Sequence, residues 1–197
     1  MMKHIAFILF LLLPLCLRGQ QATGEQIVAQ QIVNELYAVA GQQAIPAPQV
    51  KISVDNQVVA VYRPYDNEVI LDLKTYQLCR ELGRDSTAAL AYLMGHELAH
   101  AFQKELRNRR INTNFLAYDR HFQGAERFEK TADIQGAFIA YLAGYRLERT
   151  LPEILEKIYR GYDLMDKNIP GYPSFEERSR SAEEVLEIIS RLVDLFE

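Results

Sequence analysis

The chain has 197 residues, 49% of them hydrophobic and 24% charged, with 11 Tyr, 9 Phe and no Trp. These are the proportions of an ordinary globular protein, and they exclude disorder, a collagen-like repeat and a disulfide-dense miniprotein. The formal net charge of -4 leaves no broad basic footprint for nucleic acid, and the acidic excess favours solubility without naming a partner.

Met1–Gly19 reads as a secretory signal. Lys3 and His4 form a short polar start, Ile5–Leu17 is apolar, and Arg18-Gly19-Gln20 follows. The apolar run of 13 residues falls short of the roughly 20 needed to span a bilayer. Cys16 invites a lipoprotein reading, but the bulky Leu15 before it opposes one. The expectation is export, to the periplasm or beyond, and a single domain over residues 20–197 with no integral membrane segment left. Losing Lys3 and Arg18 takes the basic residues from 22 to 20 against 26 acidic ones, a net charge of -6. Cys79 is then the one remaining cysteine. It lies in an apolar helical pattern and reads as a buried small hydrophobe.

Beyond the signal, residues 24–40 carry Ile27, Val28, Ile32, Val33, Leu36 and Tyr37 at helical spacing, ended by Gly41. Three strand-like pieces follow, Val50–Val54, Val58–Tyr62 and Val69–Leu73, with a turn at Pro64–Asn67. A short helix fits Thr75–Leu82, stopped by Gly83. A long helix capped by Asp85 or Ser86 reaches about Arg107, and Asn108–Gly124 reads mostly as loop. A second long helix runs from Ala125 to about Arg146. Thr150 with Glu153, and Ser174 with Glu177, have the spacing of capping boxes that open two more helices. A small sheet followed by a mainly helical part is an α+β arrangement.

The chemistry is concentrated in Gly95-His96-Glu97-Leu98-Ala99-His100, an H-E-x-x-H motif. It lies inside the apolar run Ala88–Phe102, where a helix sets two residues four apart on one face, about 40° from each other. His96 and His100 so placed can share one Zn²⁺, and Glu97 is placed to act as general base on the attacking water and then to protonate the leaving amine. A solvated His-Glu-His face is the competing reading. Leu93, Met94, Leu98, Ala99, Ala101 and Phe102 argue against it, because a buried cluster of this kind without a metal is costly to desolvate.

A catalytic zinc site has three protein ligands and one open position. The only other histidine beyond the signal is His121; positions 103 and 106 are Gln and Leu, which excludes the three-histidine motif of the metzincins. The third ligand is then His121 or a downstream carboxylate. Glu129 is the stronger candidate, with Glu126 one turn earlier as a rival. Glu129 and Asp133 are four apart on a predicted helix, and Ala132 and Gly136 are small enough to let it approach the motif helix. Asp133 is placed to accept a hydrogen bond from the free ring nitrogen of a ligand histidine. Arg178, Tyr172, His121 and Tyr118 are candidate donors to the oxyanion of a tetrahedral intermediate. Val69–Leu73, just before the motif helix, reads equally as a cleft-edge strand for an added peptide or as a plain sheet strand.

H-E-x-x-H followed by Glu129-Lys130-Thr131-Ala132-Asp133 (E-x-x-A-D) resembles the gluzincin metallopeptidases, specifically the HtpX-type heat-shock peptidases and the CAAX prenyl proteases. The resemblance implies Glu129 as third zinc ligand, Asp133 as its supporting carboxylate and a zincin-like fold. Gly171-Tyr172-Pro173-Ser174-Phe175-Glu176-Glu177-Arg178 is similar to a downstream family segment with His-Pro, a small residue and an Arg. Tyr172 stands where that family has His, and the 28 residues between His100 and Glu129 are few for it. The short spacing is also similar to that of the ImmA/IrrE-type peptidases. With no flanking membrane helices, the likeness is to the soluble periplasmic branch.

The reading is an exported zinc-dependent endopeptidase acting on peptides or unfolded proteins. His96, His100 and Glu129 hold Zn²⁺, Asp133 supports them, Glu97 is the base, and Arg178 and Tyr172 are the candidate oxyanion donors. The alternative is an inactive zinc-binding protein that grips unfolded chains or an envelope partner.

Overall fold

The computed structural model describes residues 23–41, 45–55, 58–111, 123–167, 169 and 173–196, with side chains described except at 106–111, 123–126 and 192–196. Met1–Gly19, Tyr118, His121 and Tyr172 lie outside the described residues, as does the side chain of Glu126.

Helix α1, Gly24–Ala40, starts where the Thr23 hydroxyl accepts from the Gln26 N–H and ends at Gly41, which takes the left-handed conformation at φ +64°. It buries Ala29, Ile32, Val33 and Leu36, while Ile27, on the apolar face by spacing, is exposed. Strands β1 (Gln49–Ser53), β2 (Ala60–Arg63) and β3 (Glu68–Asp72) form one mixed sheet in the order β1-β3-β2. β3 pairs parallel with β1, Val50 opposite Val69, and antiparallel with β2, Val61 opposite Ile70. This decides between the two readings of Val69–Leu73. β3 is the central strand, both its edges are paired, and it cannot accept a further strand. Its apolar run Val69-Ile70-Leu71 is buried throughout, as a central strand requires. β2 lies at an edge.

β3 passes directly into α2 (Leu73–Arg80), because the Asp72 carboxylate accepts the Lys74 N–H at 2.8 Å and caps the helix. Cys79 is buried there, and burial pushes its thiol up to about 12, so it is an inert core residue. After a 3₁₀ turn at Gly83–Asp85 comes α3, Ser86–Ile111, longer than its spacing predicts. α4 (Gln123–Leu142), α5 (Thr150–Gly161) and α6 (Phe175–Phe196) complete the order. The Ser174–Glu177 capping box forms as expected: the Glu177 N–H donates to Ser174 Oγ, and the Ser174 N–H to Glu177 Oε2. Thr150 does not cap. It sits inside α5, and its hydroxyl donates back to the Arg146 carbonyl. The architecture is the expected α+β one. Among the described residues, no helix is long and apolar enough to cross a membrane.

α3 runs through the centre of the molecule; every residue from Ala88 to Ala99 is buried. Its most extensive contact is with α4, and the two backbones touch. A Cβ on Gly136 would lie 2.4 Å from the His96 backbone nitrogen, and one on Gly95 would lie 2.6 Å from the Gly136 carbonyl oxygen. These neighbours are main-chain atoms, so they cannot rotate away. Two glycines therefore set the helix separation, and they do so immediately beside the first histidine of the motif.

Gly136→Ala should push α4 off α3. Overpacking of this kind costs about 1–3 kcal/mol, read as a lowered thermal midpoint. The same variant should bind Zn²⁺ more weakly, because the candidate ligand Glu129 rides on the displaced helix. A variant with wild-type zinc affinity would show that the crossing distance does not control the site.

Candidate metal centre

Three helices meet around His96. α3 supplies His96, Glu97 and His100, α4 supplies Glu129 and Asp133, and α6 supplies Arg178. His96 and Glu97 are buried at 7% and 6% exposure, while the His100 side chain is 22% exposed, so the cluster opens on the His100 side. The two histidine Nε2 atoms are 3.1 Å apart. His96 Nε2 lies 3.4 Å from Glu129 Oε2, and His100 Nε2 lies 3.3 Å from Glu129 Oε1. Bonds of about 2.0–2.1 Å at a tetrahedral angle separate neighbouring ligand atoms by about 3.3–3.4 Å. The three side chains thus already hold the spacing of one face of a zinc tetrahedron, and among the described residues they are the one group so arranged.

Charge points the same way. Glu97, Glu129 and Asp133 against Arg178 leave two net negative charges in a buried cluster, which a Zn²⁺ cancels; an uncompensated buried charge of that size is costly.

The supports are equally specific. His96 Nδ1 donates to Asp133 Oδ1 at 2.8 Å, and the Tyr92 hydroxyl donates to the same oxygen at 2.8 Å. That bond keeps the Nδ1 proton and leaves Nε2 facing the ligand centre. Arg178 Nη2 donates to Glu129 Oε2 at 2.9 Å, and its Nε lies 3.3 Å from Asp133 Oδ2, an ion pair that is not aligned as a hydrogen bond. The Tyr62 backbone N–H on β2 donates to Glu97 Oε2 at 2.7 Å. Gln103 Oε1 lies 3.1 Å from His100 Nδ1, and Gln103 Nε2 donates to the Phe128 carbonyl at 3.2 Å.

The structure therefore brings His96, Glu97, His100, Glu129, Asp133 and Arg178 together. The guanidinium of Arg178 is turned onto the two carboxylates. Tyr92, Gln103 and the Tyr62 N–H were not picked out in the sequence. Tyr92 is four residues before His96 and Gln103 three after His100, so helical spacing held a signal for both. A backbone donor from a strand 35 residues away has none.

A family model described as "Putative neutral zinc metallopeptidase" matches residues 53–156, more than half of the chain. The chain belongs to this zinc metallopeptidase family. Its cofactor is Zn²⁺, and peptides are the substrate class. No curated protein and no solved structure matches the chain. The matched stretch of this metallopeptidase contains the motif helix, Glu129 and Asp133, and stops before Arg178.

Electrostatics of the metal-free site favour held protons. Burial works against a charge on His96, but hydrogen bonds to Asp133 and Glu129 outweigh it and lift the imidazole to about 9. Burial alone would raise Glu129, yet hydrogen bonds from His100 and His96 hold its carboxyl far below the usual range. Asp133 is also lowered: burial opposes its charge, and the Arg178 guanidinium, His96 and the Tyr92 hydroxyl together outweigh it. In the metallopeptidase without metal, a proton on His96 thus takes part of the cation's place.

Zinc must displace that proton, so binding should release it. Below about 9 the metal-free His96 is charged; apparent zinc affinity should therefore rise with pH, by up to tenfold per unit, and level off above that value. Chelator-competition titrations between pH 6 and 9 measure it. A flat profile would show that His96 is already neutral in the metal-free protein.

Proposed function

We propose that this family member is an exported endopeptidase of gluzincin type, with His96, His100 and Glu129 as its zinc ligands and Glu97 as its base. The observation that carries this is the ligand triangle, with edges of 3.1, 3.3 and 3.4 Å. When bound, Zn²⁺ supplies Lewis acidity toward the scissile carbonyl and toward water. His96 and His100 present Nε2, and Glu129 presents a carboxylate oxygen. Asp133 fixes the His96 ring through Nδ1. Arg178, a candidate oxyanion donor by sequence, is better read as a brace that holds the Glu129 and Asp133 carboxylates in place. Glu97 Oε2 is held by the Tyr62 N–H, which leaves Oε1 to take a proton from the attacking water and return it to the departing amine. The His-His-Glu set supports the resemblance to the HtpX-type and CAAX enzymes.

β2 is the edge strand nearest this chemistry, and its Tyr62 N–H points away from β3 toward Glu97. An extended substrate chain would lie along β2 as an added strand, with its scissile bond beside Glu97 and the two histidines. Residues 20–197 would act as one exported domain after removal of Met1–Gly19.

Glu97→Gln keeps size and helix propensity but removes the proton acceptor. It should retain zinc and lose peptide hydrolysis by about 10²–10⁴-fold. Glu129→Gln should instead lose zinc affinity, with activity partly restored by excess metal. Full activity in Glu97→Gln would exclude this mechanism, and unchanged zinc in Glu129→Gln would remove Glu129 from the ligand set. N-terminal sequencing of the protein recovered from its native cell envelope or medium tests export; an intact Met1 on a soluble cytoplasmic product would refute it.

A further inference from the structure

We infer that Gln103 is a positioning residue for the zinc site: its side-chain amide fixes the ring of His100 and ties it to the helix that carries Glu129. This rests on the ligand assignment above and adds a residue to it. The two histidines need the same service. Each must present Nε2 to the metal, so each must keep its proton on Nδ1 and spend it on an acceptor. For His96 that acceptor is Asp133 Oδ1 at 2.8 Å. For His100 it is Gln103 Oε1 at 3.1 Å.

An amide differs from a carboxylate in having a second, donating end. Gln103 Nε2 donates to the Phe128 carbonyl at 3.2 Å, and Phe128 is the residue before Glu129. A carbonyl oxygen can only accept, so the Phe128 carbonyl takes the amide's NH₂ end and thereby selects which end faces His100. The oxygen is turned to Nδ1, and His100 is held in the tautomer that frees Nε2. One side chain thus links the second histidine of α3 to the backbone of α4 at the third ligand. The His100 side chain is the most exposed of the three ligands, at 22% against 9% and 17%, so packing alone restrains its ring least.

The test compares zinc dissociation constants by chelator competition for wild type, Gln103→Leu, Gln103→Glu and His100→Ala, with melting of each metal-free protein as a check on folding. Gln103→Leu removes both bonds at similar volume. It should weaken zinc about 10- to 100-fold, the range for loss of a ligand's hydrogen-bond partner, with little change in the metal-free melting point. Gln103→Glu keeps an acceptor for Nδ1, so it should recover most of the lost affinity, even though its link to Phe128 is gone. If His100→Ala abolishes zinc binding while Gln103→Leu binds like wild type, the Gln103 role is overturned and the ligand set stands. If Gln103→Glu is as weak as Gln103→Leu, the amide serves only to join the helices, and the positioning of His100 is overturned. If His100→Ala retains wild-type zinc affinity, the ligand assignment fails, and this inference with it.

Discussion

The backbone contact between α3 and α4 is the constraint on which the site depends. Gly95 and Gly136 let the two helices touch where any Cβ would collide with main-chain atoms. Helix axes normally stand 8–10 Å apart according to the side chains between them, and glycines on both sides bring them toward the short end. His96 follows Gly95 directly, and Glu129 and Asp133 lie about two turns and one turn before Gly136. The approach that the glycines allow is what brings Nε2 of both histidines within 3.4 Å of one carboxylate. The candidate ligands meet in a largely buried pocket that opens on the His100 side, and burial strengthens the hydrogen bonds and charges within it.

That environment makes charge balance as important as geometry. Buried ion groups are stable only when paired and hydrogen-bonded. The protein meets this with layers: Arg178 from α6 faces Glu129 and Asp133, Tyr92 and His96 share Asp133 Oδ1, and the remaining deficit matches a divalent cation. Without metal, the raised proton affinity of His96 partly fills the gap. α6, which contributes no ligand, is thus part of the site. It is fixed in turn by the Ser174–Glu177 capping box that opens it and by the Tyr159 hydroxyl, which donates to the Pro173 carbonyl just before it.

The sheet serves the site from the other side. β3 occupies the centre and shares its buried apolar face with the helices, which leaves β2 as the strand that borders Glu97. Because antiparallel pairing sends alternate backbone groups to alternate edges, the Tyr62 N–H is free of β3 and available to the carboxylate. An edge strand is normally an exposure to be managed; here its one donor shown engaged outside the sheet is held by an acidic side chain.

Much of this was legible in the sequence. The α+β order, the helix over 24–40, the burial of Cys79, the H-E-x-x-H pair and the carboxylates at 129 and 133 all follow from short-range rules: periodicity, caps and spacing within one helix. The residues the rules missed on the same helices, Tyr92 and Gln103, were within reach of the same arithmetic. What the sequence could not decide is what depends on which elements become neighbours. It left Val69–Leu73 open between a cleft-edge strand and a plain sheet strand, and strand order decides for the second by putting that segment in the middle, because consecutive strands need not be adjacent. It presented Arg178 as a donor for substrate, whereas α6 turns the guanidinium onto two carboxylates. It could not show a backbone N–H from β2 on Glu97, because every residue carries that group and only tertiary position makes one of them matter.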